Sequence, residues 1–540
     1  MPDRYWVGST ANWDGTAGTK WATTSGGAGG SAVPTTSDDV YFDNNSGAVT
    51  VTVNANVACK SLNFVSGSGS FAGTFSNANN FTIQVNVAAV AGASVTLSAS
   101  ATYTGTATTL LVFGNAGTLT SNGATWSSKL SFMRNSTHTI TGNWTNTGLV
   151  SFLIGGSNTT TLNGDNIRAN GGMIATATST TGSSKFVIGG GTFSGTGSYA
   201  NDIEFAATCT IGTCTFFPRT AGNFITRTGG TQTVTGGTTQ TFLSSVAGLM
   251  TVSTGSSIVF DTVVINCISG RFVLGADFYC SGSLTLGQNA QTCSLGAGAY
   301  TIYTGGALII TASCNGVAGT SSVRMDSTSN VALTHNNVGT SFPLIFNSGA
   351  NSITITNGAV FTRTGGSITY VSGNIVTTNT TLALSTSAST LNTSGMSWNN
   401  VSFAGALTYT INSASSILAT LTISGSVTFD GTAGWTCNTL NCVTAGLTIT
   451  LKEAITYRTT ASVILTGTAA SPIIYKSSST SVRAIWYLDN GATQDISFVN
   501  GQWQDASLGQ TIWSFKGVLT STINWSLGTK PQTIGYITIN

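Results

Sequence analysis

The sequence predicts an all-β protein in which each coil of a parallel β-solenoid stacks on the one before. First, short runs of β-branched, aliphatic and aromatic residues recur along the chain, and each is bounded by Gly, Ser or Asn. Second, no window of about eleven residues repeats apolar residues at helical spacing with caps at its ends. The runs are Val95-Thr96-Leu97, Phe186-Val187-Ile188, Ser257-Ile258-Val259-Phe260, Leu308-Ile309-Ile310, Ser352-Ile353-Thr354-Ile355, Leu421-Thr422-Ile423 and Leu447-Thr448-Ile449.

The scarcity of charge in the middle of the chain supports the same prediction. Residues 57–450 carry only 17 charged side chains, and none lies between Thr364 and Phe429. In a parallel solenoid each strand pairs with the coils above and below, so outward residues need only be soluble, and Thr and Ser suffice. Antiparallel sandwich or propeller modules remain an alternative, because Asn-Gly turns occur at 122–123, 163–164, 315–316, 357–358, 490–491 and 500–501.

Weak internal similarity indicates coils of unequal length. The pattern Asp/Asn-aliphatic-any-Phe begins at Asp202, Asn400 and Asp495, with looser copies at Lys129 and Ser61. A longer echo relates Thr226-Arg227-Thr228-Gly229-Gly230-Thr231 to Thr362-Arg363-Thr364-Gly365-Gly366-Ser367. Because the copies are irregularly spaced, we expect a degenerate solenoid rather than a strict repeat.

The chain divides into four segments by composition. We expect an N-terminal cap or attachment segment at 1–56, a solenoid body at 57–451, closing coils at 452–528 and a tail strand at 529–540. The first segment holds Trp6, Trp13 and Trp21, which we expect to cover the exposed apolar end of the first coil.

The first segment resembles the opening pattern of bacterial β-helix surface proteins and phage virion proteins. The resemblance covers about one tenth of the chain. The matching residues are Trp6, Gly8, Trp13, Trp21, Pro34, Asp38, Asp39, Val40 and Phe42.

The segment from Ile473 to Trp525 looks like the closing module of the same proteins, and the Asp-rich turn of that pattern is reduced here to Gln504-Asp505-Ala506-Ser507. The resemblance implies a single-stranded right-handed parallel β-helix with N- and C-terminal caps, in which Trp513 and Trp525 are capping residues and Trp525 plugs the last coil.

Beyond the closing module, an alternating tail follows Pro531. Its strand residues are Thr533, Ile534, Tyr536, Ile537 and Ile539. Such a strand can pair with another subunit, which would make the protein a homo-oligomer, or fold back on its own solenoid. Both alternatives have equal weight.

Composition excludes several function classes. The formal charge is +2 and no basic stripe is present, so we expect no nucleic-acid partner. No apolar run of about 18 residues and no apolar signal region is visible, so we expect no membrane insertion and folding in the host cytoplasm. Nine cysteines without a secretory signal predict reduced, buried thiols, including the Cys209/Cys214 and Cys437/Cys442 pairs, with a disulfide or metal site as the alternative.

Few residues suggest chemistry, and we expect no catalytic residue, cofactor or metal. Asp38, Asp39 and Asp43 form the one dense acidic group, for which turn formation and capping compete with Ca²⁺ binding. Asp202 and Glu204 lie two apart on one strand face, the minimal arrangement for a glycosidase-like carboxylate pair. We expect His138 and His335 to be surface or turn residues, because no acid or nucleophile is near them in sequence.

These features favour a non-enzymatic virion structural protein of a tailed phage. We expect a β-helical appendage, either a tail fibre, a head fibre or a capsid decoration, that contacts other virion proteins and host-surface glycans. Phage proteins fold in the host cytoplasm and leave by lysis, which explains a surface-type solenoid without a signal peptide. The alternatives are a bacterial adhesin on the cell surface and a polysaccharide-degrading tailspike.

Overall fold

The computed structural model confirms the parallel β-solenoid. It describes residues 2–77, 81–88, 91–105, 110–132, 137–181, 183–195, 198–216, 222–244, 249–254, 258–267, 271–287, 293–295, 300–311, 314–316, 321–335, 340–356, 360–378, 380–384, 389–392, 396–412 and 414–529. The chain forms two compact units, Met1–Tyr279 and Cys280–Asn540. The one helical element among the described residues is a single 3₁₀ turn, Asn44–Ser46.

Each coil of the first unit contributes a strand, in chain order, to row 1, row 2 and row 3. Row 1 contains Asp3–Trp6, Asp39–Tyr41, Ser61–Asn63, Ser94–Thr96, Gly117–Thr120, Thr137–Thr141, Ser198–Tyr199, Cys214–Phe216, Thr239–Ser244 and Thr262–Cys267. Row 2 contains Ala11–Trp13, Thr50–Val53, Thr74–Asn77, Thr102–Gly105, Thr125–Trp126, Trp144–Asn146, Ile167–Ala169, Phe186–Ile188, Ile203–Phe205, Gly222–Arg227, Leu249–Ser253 and Arg271–Leu274. Row 3 contains Val57–Cys59, Thr82–Val85, Leu110–Phe113, Lys129–Phe132, Thr192–Ser194, Cys209–Ile211, Gln232–Val234, Val259–Phe260 and Phe278–Cys280.

Two long strands of this unit, Val150–Gly164 and Gly172–Thr181, turn a corner from row 3 into row 1. Antiparallel pairing occurs at two places in the described residues. Trp21–Ala22 pairs with the first strand, and Val65–Ser66 pairs with Gly69–Ser70.

The second unit is wound into three rows in the same way. Row 1 contains Leu284–Leu286, Leu308–Ile310, Val331–His335, Ser397–Trp398, Ala484–Leu488 and Gln504–Asp505. Row 2 contains Cys293–Leu295, Cys314–Gly316, Val360–Arg363, Thr381–Leu384, Asn400–Phe403, Thr493–Ser497, Ile512–Ser514 and Trp525–Leu527. Row 3 contains Thr301–Thr304, Ser322–Met325, Ser389–Asn392, Leu407–Ile411, Val427–Gly431, Thr448–Leu451, Ile473–Ser477, Val499–Gln502 and Val518–Thr520. The strands that turn a corner are Leu344–Thr356, Ile368–Val376, Ser415–Ile423, Trp435–Cys442 and Thr456–Thr466.

The register confirms that the coils differ in length. Leu111 pairs with Leu130 in the next coil, nineteen residues on, whereas Ile83 pairs with Leu111, twenty-eight residues on. The extra residues lie in the corners between rows, so the stacked strands stay in register. The hand of the winding stays a prediction.

The interior of each unit is built from inward residues that stack coil on coil. Phe113, Phe132 and Phe152 follow one another in row 3, with successive ring centroids 5.4 Å apart and nearly parallel planes. Alternate strand residues point to opposite faces, so every second position in a run such as Phe186–Ile188 is buried. Stacked aromatic rings add to the free energy gained by burying apolar area.

The three closer copies of the sequence pattern lie at equivalent places in the coil, whereas the looser copies do not, because Lys129–Phe132 is in row 3 and Ser61–Asn63 in row 1. The copies that begin at Asp202, Asn400 and Asp495 all lie in row 2. In the first two, the aliphatic residue and the Phe both point inward. The third departs, because Phe498 has a φ of 51° and is only half-buried at the turn that follows its strand.

Candidate functional site

A groove lined by hydroxyl groups lies on the outer face of row 3 in the second unit. Thr408, Thr428 and Thr450 are register partners on three successive coils, so their side chains form a ladder. The cleft has a volume of about 250 Å³. Its lining is Ala406, Thr408, Ser426, Val427, Thr428, Thr448 and Thr450.

Strand alternation explains why this face carries hydroxyls. Val427 and Phe429 point into the core and are buried, which turns Ser426, Thr428 and Asp430 outward. The Ser426 hydroxyl also accepts a hydrogen bond from the Thr448 amide at 3.0 Å, which fixes it between two coils. Backbone pairing therefore fixes the spacing of the strands that carry these hydroxyls, so a bound ligand need not order the main chain.

An ion cluster borders the groove on one side. Lys452 Nζ lies 3.0 Å from Asp430 Oδ1 and 3.5 Å from Glu453 Oε1. A hydrogen bond from the Gly431 amide, followed by contact with Lys452, lowers the pKa of the Asp430 carboxyl. Asp430 in turn raises the pKa of Lys452. The groove offers hydroxyl donors and acceptors beside a carboxylate and an ammonium group, an arrangement suited to binding a neutral polar ligand.

The predicted carboxylate pair lies in the first unit, on row 2. Glu204 forms an ion pair with Lys185 and accepts a 2.7 Å hydrogen bond from the Thr228 hydroxyl. These hydrogen bonds lower the pKa of Glu204, whereas desolvation raises the pKa of Asp202 against the opposing charge of Lys185. The pKa values of Asp202 and Glu204 therefore shift in opposite directions. The Glu204 carboxylate, however, is already bound by Lys185 in the coil before it and by Thr228 in the coil after it.

The acidic group near the N-terminus forms turns, as one of the two sequence interpretations predicts. Asp43 is the N-cap of the Asn44–Ser46 turn and accepts hydrogen bonds from the hydroxyls of Ser25 and Ser66 at 2.7 and 2.8 Å. Asp38 accepts from the amide and hydroxyl of Thr35. Asp39 pairs with Lys60 at 3.0 Å. Within the residues described, no group of three or more His, Cys, Asp or Glu side chains could hold a metal ion.

The expectation that both histidines are surface or turn residues is wrong. His138 and His335 are 1 % exposed and lie in the strands Thr137–Thr141 and Val331–His335. Alternation is the reason, because His138 lies two residues before Ile140 and His335 two residues after Leu333, on the inward face. Neither imidazole has a hydrogen-bond partner among the described residues.

The thiols that the structure describes are buried and form no disulfide, in agreement with the sequence. They are Cys59, Cys209, Cys214, Cys280, Cys437 and Cys442. Cys437 and Cys442 both point inward although they share one strand and are five residues apart. A register shift between Cys437 and Thr439 turns the strand through a corner, and this restores the inward direction. Burial raises the pKa of the Cys437 thiol to about 12, so it is a poor nucleophile.

The predicted capping tryptophans differ in their surroundings. Trp6, Trp13 and Trp21 are fully buried around Phe42, with ring centroids 5.7–6.1 Å from its ring. Their role as a cap stays a prediction. The residues Trp21–Ala22 occupy the edge of Asp3–Trp6, whose other edge pairs with Asp39–Tyr41.

At the other end, Trp525 is 8 % exposed and packs on Trp486 and Tyr475, whereas the side chain of Trp513 is only half-buried. The predicted partner-pairing residues Thr533, Ile534, Tyr536, Ile537 and Ile539 lie outside the described residues.

Sequence reasoning missed two features. The Thr ladder of the groove joins residues about twenty apart, and only the coil register brings them together. Arg363 is 1 % exposed, and its guanidinium donates to the Thr340 hydroxyl at 2.9 Å and the Phe342 carbonyl at 2.5 Å. The sequence did contain a signal for this position, because Arg363 lies in a segment similar to the one that contains Arg227. Both arginines precede a Gly-Gly turn whose second glycine has a φ of 70°.

Comparisons of the chain with protein-family models, with curated proteins and with solved structures found no match. In the part of the chain that the structure describes, no helix is long and apolar enough to cross a bilayer.

Proposed function

We propose that this protein is a non-enzymatic structural component of a tailed-phage virion. In this role it is a β-helical appendage that contacts other virion proteins and host-surface glycans. One observation carries the proposal, namely a solenoid whose outer strand face in row 3 presents Thr and Ser hydroxyls in register, while the neighbouring carboxylate of Asp430 is held in an ion pair with Lys452. The N- and C-terminal sequence resemblances to bacterial surface and phage virion β-helix proteins are in keeping with the proposal.

The virion assignment is tested by locating the protein. Phage particles from a lysate that contains the protein are banded on a density gradient and analysed by mass spectrometry. We expect its peptides to band with the major capsid and tail proteins at a fixed ratio. Recovery only in the soluble fraction or in the host envelope would contradict the assignment, and the envelope result would favour the bacterial adhesin.

The groove is the proposed glycan contact, because its hydroxyls, carried on strands in register, can exchange hydrogen bonds with sugar hydroxyls. Its volume of about 250 Å³ is below that of a typical drug-sized pocket, so we expect a weak, shallow contact with one or two sugar units of a longer chain. Repetition of such contacts over many copies in a particle would raise the avidity.

Matched substitutions test the groove. Replacing Thr408 and Thr428 by Val keeps their shape and removes two hydroxyls. The matched control, Thr137→Val with Thr139→Val, removes two hydroxyls from the exposed face of row 1 in the first unit. Binding to immobilised host polysaccharide should fall at least about tenfold in the groove variant, since each lost hydrogen bond contributes about 1 kcal/mol. Equal binding by wild type and the groove variant would remove the groove from the proposal.

A polysaccharide-degrading tailspike is the second candidate, favoured by the opposite pKa shifts of Asp202 and Glu204. If it held, the protein would release reducing ends or unsaturated sugars from host capsule or lipopolysaccharide, and Asp202→Asn and Glu204→Gln would each abolish the release. We expect no product from wild type, because Lys185 and Thr228 already bind the Glu204 carboxylate.

A further inference from the structure

A face without carboxylates lies on row 3 of the second unit, in the closing coils. This basic face comprises three row-3 strands and the corners on either side of them, that is, residues 466–483, 498–503 and 515–521. It contains Lys476, Arg483 and Lys516 and no Asp or Glu. Three positive charges on one face are a large local excess in a chain whose formal charge is +2 over 540 residues.

The carboxylates of the same coils lie on the other faces. Asp495 is in row 2 and Asp505 is in row 1. Asp489 follows the row-1 strand Ala484–Leu488 and is bound by Arg458, with nitrogen and oxygen 2.8 Å apart. The charges are therefore separated by face, and the acids of these coils do not neutralise the basic face.

Aromatic rings, rather than carboxylates, hold two of the three cations. The guanidinium carbon of Arg483 lies 5.6 Å from the centre of the Trp503 ring, and Arg483 Nε donates to the Ser521 carbonyl at 2.8 Å. Lys516 Nζ lies 5.1 Å from the centre of the Phe515 ring. A ring attracts a cation without cancelling its charge, so both groups stay able to bind an anion.

Lys476 joins the basic face to the groove. It is the register partner of Thr450, so it continues the column of Thr408, Thr428 and Thr450 by one coil. Its neighbour Tyr475 is buried, which turns Lys476 outward. Paired strands lie about 4.8 Å apart, so a ligand that follows the column out of the groove meets the ammonium group in the next coil.

We propose that the glycan of the groove is an acidic polysaccharide. Its neutral units lie on the Thr column, and its anionic substituents are bound by Lys476, Arg483 and Lys516. Trp503 is half-buried and Phe515 is 41 % exposed, so their rings can also pack against the apolar faces of sugar units. The inference rests on the proposed glycan contact and names the class of its ligand.

Binding of the full chain to two pairs of immobilised polymers tests the inference. One pair is polygalacturonate and its methyl ester, and the other is phosphorylated dextran and dextran. We expect a charged polymer to bind at least about tenfold more tightly than its neutral partner, and the pair with the larger difference distinguishes carboxylate from phosphate. The difference should largely disappear at about 1 M salt, where the screening length is about 3 Å.

A matched pair of substitutions locates the contact. Lys476→Gln should weaken binding of the charged polymer about threefold or more. Lys129→Gln, at a half-buried lysine of row 3 in the first unit, should leave this binding unchanged. Equal effects of the two substitutions, or equal binding of charged and neutral polymers by the wild type, would overturn the inference.

Two further outcomes separate this inference from others. A single-stranded oligodeoxynucleotide that binds more tightly than either charged polysaccharide would overturn the acidic glycan in favour of a nucleic acid. If charged and neutral polymers bind equally while replacement of Thr408 and Thr428 by Val still weakens binding to host polysaccharide, the acidic ligand is wrong and the groove remains the glycan contact.

Discussion

His138 packs edge-on against Phe132 in the core of the first unit, with ring centroids 5.1 Å apart, and neither of its nitrogens has a described hydrogen-bond partner. Burial lowers the pKa of His138 to about 4. In the unfolded chain the pKa of His138 is that of an ordinary histidine, about 6.5. As the pH falls, the imidazole is therefore protonated at a higher pH in the unfolded state than in the folded state. The folded state therefore favours neutral histidine.

The expected pH dependence follows from this difference. Stability should decrease from about pH 6.5 to about pH 4 and should be independent of this group below that range, with a total loss of about 3 kcal/mol. Urea unfolding at several pH values measures it. His138→Leu should reduce the slope in this window, and His335, whose pKa burial also lowers, should account for part of the slope that remains. A variant with the wild-type slope would contradict the prediction.

Two tryptophans predicted to have the same role should differ in their contribution to stability. Trp525→Ala leaves a cavity over Trp486 and should destabilise the closing coils by about 3–5 kcal/mol. Trp513→Ala is the matched control and should cost about 1 kcal/mol or less, since its side chain is half-exposed. Hydrogen exchange of residues 484–502 reports the local effect. Equal protection in the two variants would mean that Trp525 does not close the solenoid.

The N-terminal segment depends on one buried carboxylate. Asp43→Ala removes the cap of the 3₁₀ turn and leaves the hydroxyls of Ser25 and Ser66 without an acceptor, so we expect a loss of about 2–3 kcal/mol. Asp14→Ala, which removes an ion pair with Lys20 and the acceptor of hydrogen bonds from the Thr16 amide and hydroxyl at the surface, should cost less, about 1 kcal/mol. Limited proteolysis within residues 1–56 compares the two variants, and similar cleavage rates would refute the difference.

Arg227 and Arg363, which lie in similar sequence segments, provide a third comparison. Arg363→Ala should destabilise the second unit by about 3 kcal/mol or more, because the Thr340 hydroxyl and the Phe342 carbonyl lose a charged donor inside the core. Arg227→Ala should cost about 1 kcal/mol, because Arg227 is half-buried and holds only its own turn through Gly230 and Gln232. Denaturant unfolding followed by hydrogen exchange assigns each loss to its unit. A larger loss at Arg227 would be inconsistent with the geometry.

The positions of individual strands could be predicted from the sequence, but the contacts between residues of successive coils could not. Strand positions such as Phe186–Ile188 and Leu308–Ile310 follow from local alternation between turn residues, and the structure has both at the predicted places. The Thr408–Thr428–Thr450 ladder depends on register between coils of different length, which no local pattern specifies. The inward histidines were predictable from strand alternation, but the absence of a nearby acid or nucleophile in sequence led to the prediction of surface or turn residues.

The corner within Trp435–Cys442 shows why strand alternation can predict the wrong direction for a single side chain. A period of two predicts opposite directions for side chains five apart, and one register shift reverses the outcome for every residue beyond it. Corners are decided by how neighbouring coils pack, so their positions cannot be obtained from one segment alone.

The unequal coil lengths have a consequence for how such a chain can change over time. Because strands pair only with the coil before and the coil after, a segment such as the one from Leu130 to Val150 can be duplicated or deleted as a whole without altering the pairing elsewhere. Corner loops can lengthen independently for the same reason. Natural variants of this protein should therefore differ by whole coils and by corner insertions, rather than by gaps within strands.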